Sequence, residues 1–130
     1  MFIARISSEL PSNELLALAK ENPSLLLNPN KIDSIQCIKL SEYLTINSFK
    51  NKTNIAKSFE LEFLLWLSGK MDIRRAFELL SFTSNRSILI ISSRGNKKSL
   101  LKLLNAKELK LNLNETSGPL LLEAISLSRI

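Results

Sequence analysis

Between Phe59 and Leu67 the chain reads FELEFLLWL, and a helix carrying these residues is apolar nearly all the way round. Such a helix must be covered on most of its sides, so the rest of the chain has to build a core around it. Ser58 is suited to cap its start, because a serine hydroxyl accepts a hydrogen bond from an early helical N–H. Glu60 and Glu62 then lie near the positive end of the helix dipole. Gly69 supplies the left-handed residue that ends a helix. After a short turn, Asp72 caps a second helix whose Ile73, Ala76, Phe77 and Leu80 follow the spacing of one buried face. Lys70, Arg74 and Arg75 are left outside, and a helical hairpin with solvated charges accounts for them without any ligand.

A chain of 130 residues fits one domain spanning 1–130 and buries enough surface to need neither disulfides nor a metal. Cys37 is the only cysteine and histidine is absent, which excludes an internal disulfide and a histidine–cysteine zinc site. Cys37 reads as a small core residue, because no histidine is available to lower its pKa. The N-terminus lacks a basic start followed by a long apolar run, and no segment approaches the roughly 20 apolar residues of a membrane span. No membrane partner and a cytoplasmic location are expected.

The net charge of +6 is unevenly distributed. Residues 1–49 set Arg5, Lys20, Lys31 and Lys39 against Glu9, Glu14, Glu21, Asp33 and Glu42, a net −1, which leaves +7 for the remainder. A basic half of this kind favours a polyanion such as RNA through counterion release, although proteins that bind no nucleic acid share the feature.

Phe2–Ile6 reads as a short strand. Ser12 or Asn13 caps a helix that Asn22-Pro23 ends, and Ser24–Leu27 is a second strand. Asp33 or Ser34 caps a helix to about Asn47, with Cys37, Leu40 and Leu44 on one face, and 48–54 is an exposed polar connection. Ser87–Ser92 is a continuous apolar run suited to a buried central strand. Asn96 caps a helix to Asn105, Glu108–Leu113 alternates as a half-exposed strand, and Gly118-Pro119 opens a final helix. The simplest layered solution is an α/β fold in which one mixed sheet of about four strands packs with about six helices.

Catalytic chemistry finds little support. Without histidine, a general acid or base at neutral pH has to be a carboxylate or lysine of shifted pKa, and Glu62, inside a strongly apolar element, is the one candidate. A buried carboxylate paired with a lysine or with backbone N–H groups is the commoner reading, because structural ion pairs also perturb pKa. Gly95 stands alone, short of the patterned glycines of a phosphate loop. No catalytic residue, cofactor, metal or small-molecule substrate is expected. The last helix, with Leu120, Leu121, Leu122, Ala124, Ile125, Leu127 and Ile130, is more apolar than one packed face requires. It either offers a partner surface or packs on both sides.

Ala56, Ser58, Phe59, Glu62 and Leu64, then Ser68-Gly69, Ile73 and Ala76, together resemble the signature of the small kinase-binding accessory subunit of the KEOPS complex. KEOPS installs threonylcarbamoyl on the adenosine beside the tRNA anticodon. The resemblance is sharpest over these residues and extends more loosely over most of the chain. It implies an α/β accessory subunit that binds the small atypical kinase of KEOPS and recruits tRNA by its single-stranded acceptor end. On that reading Ser58, Ser68, Gly69 and Ile73 face RNA, flanked by Lys50, Lys52, Lys57, Lys70, Arg74 and Arg75, and Leu121 and Ile125 anchor the kinase. The sequence departs from the family pattern at Asp72, where glutamine is common and an acid opposes phosphate. A kinase-binding structural regulator without RNA contact is the alternative.

Overall fold

The computed structural model describes residues 1–129. Its elements run β1 (Phe2–Ser8), α1 (Ser12–Glu21), β2 (Leu25–Leu27), α2 (Ile35–Lys50), α3 (Phe59–Ser68), α4 (Ile73–Leu80), β3 (Ile88–Ser92), α5 (Lys97–Leu103), β4 (Ala106–Leu109) and α6 (Pro119–Ser126), with a single 3-10 turn at Pro29–Lys31. This is the expected α/β class with four strands and six helices, in the expected order. The chain divides into two compact units, Met1–Lys31 with Ser81–Asn112, and Ile32–Leu80 with Leu113 onward.

The first unit holds the sheet, in the order β2-β3-β1-β4. Every pairing between its strands is antiparallel, with Ala4 opposite Ile90, Ile6 opposite Ile88 and Leu26 opposite Ile90. A mixed sheet is expected when strand–helix–strand segments make adjacent parallel pairs. Here both such segments are split: β3 lies between β1 and β2, and β1 lies between β3 and β4. That interleaving is the split βαβ arrangement of ferredoxin-like sheets, which carries no function by itself. Alternate residues of β1, β2 and β3 point to one face, where Ala4, Ile6, Leu26, Ile88 and Ile90 pack with Leu15 and Ala19 of α1, Leu100 of α5 and Leu104 just past its end. All of β3 is buried, as its apolar run predicts. The last strand begins two residues earlier than its alternation suggests, because Arg5, Ile6, Ser7 and Ser8 of β1 pair with Leu109, Glu108, Lys107 and Ala106.

The second unit is helical. α3 is its centre and touches α2, α4 and α6, and its Phe63, Leu64 and Leu65 are fully buried. Its start and end follow the sequence closely: Ser58 Oγ accepts from the Leu61 N–H, and Gly69 closes the helix at φ 70°. α2 begins at the Ser34 cap, which accepts from the Cys37 N–H at 3.2 Å. Its next free N–H groups are satisfied by the returning chain, since Ile35 donates to Asn114 O at 2.8 Å and Gln36 to Glu115 O at 3.1 Å. Ser117 completes the junction by donating its N–H to Gln36 Oε1 at 3.0 Å and its hydroxyl to Asp33 Oδ2 at 2.5 Å. Cys37 is buried, with Sγ 3.0 Å from Ser117 Oγ.

Candidate nucleic-acid interface

All of the sequence-derived RNA candidates lie in the helical unit, before and after α3 in the chain. One group precedes it: Lys50, Lys52, Lys57 and Ser58. The other follows it: Ser68, Gly69, Lys70, Ile73, Arg74 and Arg75. The ten residues of α3, at 1.5 Å rise, set Ser58 at one pole of that helix and Ser68 at the other, about 15 Å apart. The six cations are all exposed, whereas Ser58, Ser68, Gly69 and Ile73 are partly covered.

The first pole is held from inside. Glu62 is fully buried, and its Oε1 accepts from the backbone N–H of Ile55 and of Ala56, both at 3.0 Å. Its Oε2 lies 2.6 Å from Arg129 Nη1. The Arg129 guanidinium sits 3.9 Å from the centre of the Trp66 ring, a cation–π contact. Trp66 Nε1 donates to Ser48 Oγ at 3.0 Å, and Ser48 Oγ donates to Leu44 O at 2.9 Å. One carboxylate thereby fixes the approach segment that joins α2 to α3 (51–58), α3 itself and the stretch after α6 that carries Arg129, while Trp66 carries the tie on to α2. Burial alone would raise the Glu62 carboxyl, but the Arg129 hydrogen bond and charge, with the Ala56 and Ile55 N–H groups, hold it below its ordinary value. A carboxyl so placed stays ionised at neutral pH and is closed to solvent, which removes Glu62 as a general acid.

The approach segment is also folded on itself. Thr53 N–H donates to Ser48 O at 2.8 Å, Asn54 Nδ2 donates to Ala56 O at 2.8 Å, and Lys52 adopts φ 58° just past the helix end. α2 continues to Lys50, three residues beyond Asn47, so Lys50 belongs to the helix and not to the connection. Ile55, held through its own N–H, leaves its side chain 46% exposed between Lys52 and Lys57.

At the second pole, Ser68 Oγ donates to Leu65 O at 3.1 Å and accepts from the Lys70 N–H at 3.2 Å. Asp72 Oδ1 accepts from the Arg74 N–H at 2.8 Å, as a capping residue should. Its charge is thus directed onto the start of α4, which accounts for an acid in a basic turn. Arg74 pairs with Glu78 one helical turn on, at 3.4 Å, an exposed pair of small energetic weight. A Cβ at Gly69 would meet nothing within 4 Å, so glycine is required there by its φ and not by space. Gly69→Ala should therefore cost about 1–2 kcal/mol in denaturant unfolding, and Gly69→Asn less, because asparagine tolerates the left-handed region.

No family model and no curated protein matches this chain. What the site can do rests on its own chemistry. Among the described residues no group of three histidine, cysteine, aspartate or glutamate side chains comes together to hold a metal. Among the same residues no helix is long and apolar enough to cross a membrane.

The α6 candidates divide. Leu121 is 40% exposed and remains available, but Ile125 is 5% exposed and belongs to the core of the helical unit. Ile125 is therefore corrected from a partner anchor to a packing residue: α6 contacts both α2 and α3, and its inward position is spent on them. Leu120, at 82% exposure, and Leu127, at 48%, are the outward ones. Sequence reasoning also missed Tyr43 and Ile46, 62% and 53% exposed on α2. No sequence signal marks them, because the buried face they lie opposite, with Cys37, Ser41, Thr45 and Ser48, is largely polar.

Proposed function

We propose that this protein is an accessory subunit of the KEOPS type, which binds the small atypical kinase and recruits tRNA through its single-stranded acceptor end in support of threonylcarbamoyl-adenosine modification. The observation that carries the reading is the Glu62 device. Ala56, Ser58 and Glu62, part of the set that resembles the family, act together: the buried carboxylate holds the Ile55 and Ala56 amides and so fixes a segment bearing Lys52, Ile55 and Lys57. A rigid segment that offers cations for phosphates and an apolar side chain for a base suits splayed single-stranded RNA. The outward leucines of α6 suit a protein partner, because desolvated apolar anchors make an interface core.

If Lys57, Lys70 and Arg74 each touch a phosphate, changing all three to glutamine should weaken tRNA binding and flatten its salt dependence by about 0.7 log–log unit for each phosphate no longer neutralised. Binding should also fall when the terminal unpaired nucleotides of the tRNA are removed. Equal affinity for intact and trimmed tRNA would remove the acceptor-end assignment. Retained kinase binding with no tRNA binding at all would leave the structural-regulator alternative.

A further inference from the structure

α2 is 16 residues long and buries one face, with Cys37, Ile38, Ser41, Thr45 and Ser48 inward. Its opposite face carries Lys39, Tyr43, Ile46 and Lys50, all exposed. At 100° per residue these four positions fall within an arc of about 60°, and they rise about 16 Å along the axis. The result is a stripe with a cation at each end and an aromatic and an aliphatic side chain between them. Glu42 flanks it and is partly buried. Tyr43 is 62% and Ile46 53% exposed, and the two lie side by side on this face.

We propose that this outer face of α2 is a platform for single-stranded RNA, with Tyr43 stacking on a base, Ile46 packing beside it, and Lys39 and Lys50 on flanking phosphates. The assignment deepens the RNA-binding reading above and rests on it. Two arguments favour RNA over a protein partner. The core of a protein interface is depleted in lysine, whereas a lysine at each end of an aromatic and apolar stripe matches a strand whose charge and bases alternate. The stripe also ends at Lys50, and the chain passes directly from there to Lys52, Ile55 and Lys57, the segment that Glu62 holds. The platform and that segment are thus consecutive in the chain.

Tyr43 is the only tyrosine, so 3-fluorotyrosine labelling gives a single fluorine resonance that reports on the stripe. Titration of the full chain with short oligoribocytidylate should shift or broaden it. Tyr43→Ala should weaken binding of this probe about 5- to 150-fold with an unchanged salt slope, and Tyr43→Phe should restore it. Lys39→Gln with Lys50→Gln should lower the slope by about 1.4. These side chains are exposed, so circular dichroism should show every variant folded. Oligonucleotide that binds without moving the fluorine signal, and with no loss in Tyr43→Ala, would overturn the platform and leave RNA binding intact. No binding of either oligonucleotide or tRNA would overturn both. A fluorine signal that responds to the kinase and not to RNA would reassign the stripe to a protein partner.

Discussion

Replacing Glu62 or Arg129 with alanine should destabilise the protein by about 3–5 kcal/mol, because removal of one partner leaves the other as an uncompensated buried charge. The two side chains meet at 2.6 Å with Glu62 fully covered. The double change Glu62→Leu with Arg129→Met should recover part of that loss, since neither charge is then stranded. Recovery should stop short of the parent, because the Ile55 and Ala56 N–H groups lose their shared acceptor, at about 1–3 kcal/mol for each that stays buried and unpaired. Urea unfolding of the four proteins measures these differences. The pH dependence has a definite sign. The folded carboxyl lies below its ordinary value, so its contribution is complete above the unfolded value of about 4.3 and is lost as pH falls through the lower folded value. Glu62→Ala should remove that acid limb.

Ile125→Asp should be comparably severe and Leu120→Asp nearly silent, although both change an apolar residue of the same eight-residue helix. Ile125 is covered by its own unit, and an unpaired carboxylate there costs several kcal/mol even after its pKa rises to meet the burial. Leu120 is 82% exposed in the first turn of α6, where an acid is favoured by a few tenths of a kcal/mol through the helix dipole. Thermal unfolding separates the two. If the outward face of α6 is the kinase surface, Leu120→Asp should lose kinase binding while its melting temperature stays that of the parent.

Local chemistry was legible in the sequence, and the partners of each element were not. Ser58, Gly69, Asp72 and Asn96 are caps in the structure as their positions suggest, because capping depends on neighbours within four residues. At α1 the same reasoning misplaced the role of Ser12. The cap position belongs to Pro11 and has no side-chain hydrogen bond, while Ser12 Oγ donates to Asn85 at 2.8 Å, a residue distant in sequence. Strand order follows from how two βαβ segments interleave, and nothing local in β1 or β3 records it. Burial on α6 and on α2 likewise depends on which side neighbours occupy. Hydrophobicity could not tell Ile125 from Leu121, nor could the charge pattern show that Tyr43 faces outward. Glu62 was singled out because a carboxylate in an all-apolar helix needs partners, but two of those partners are backbone amides, which side-chain identities do not reveal.

The interleaved sheet also fixes an order of events during synthesis. Phe2 pairs with Ser92, and the other edge of β1 pairs with 106–109. At about 5–20 residues per second on the ribosome, β1 is made roughly 5–18 s before the last of the β3 residues it pairs with exists. The hairpin from Ser58 to Leu80 is local in sequence and exists by then, although α6, which also covers α3, is still to be made. Through that interval the segment FIARISS is an apolar strand with two open edges, and its protection from pairing with another nascent chain has to come from outside the fold.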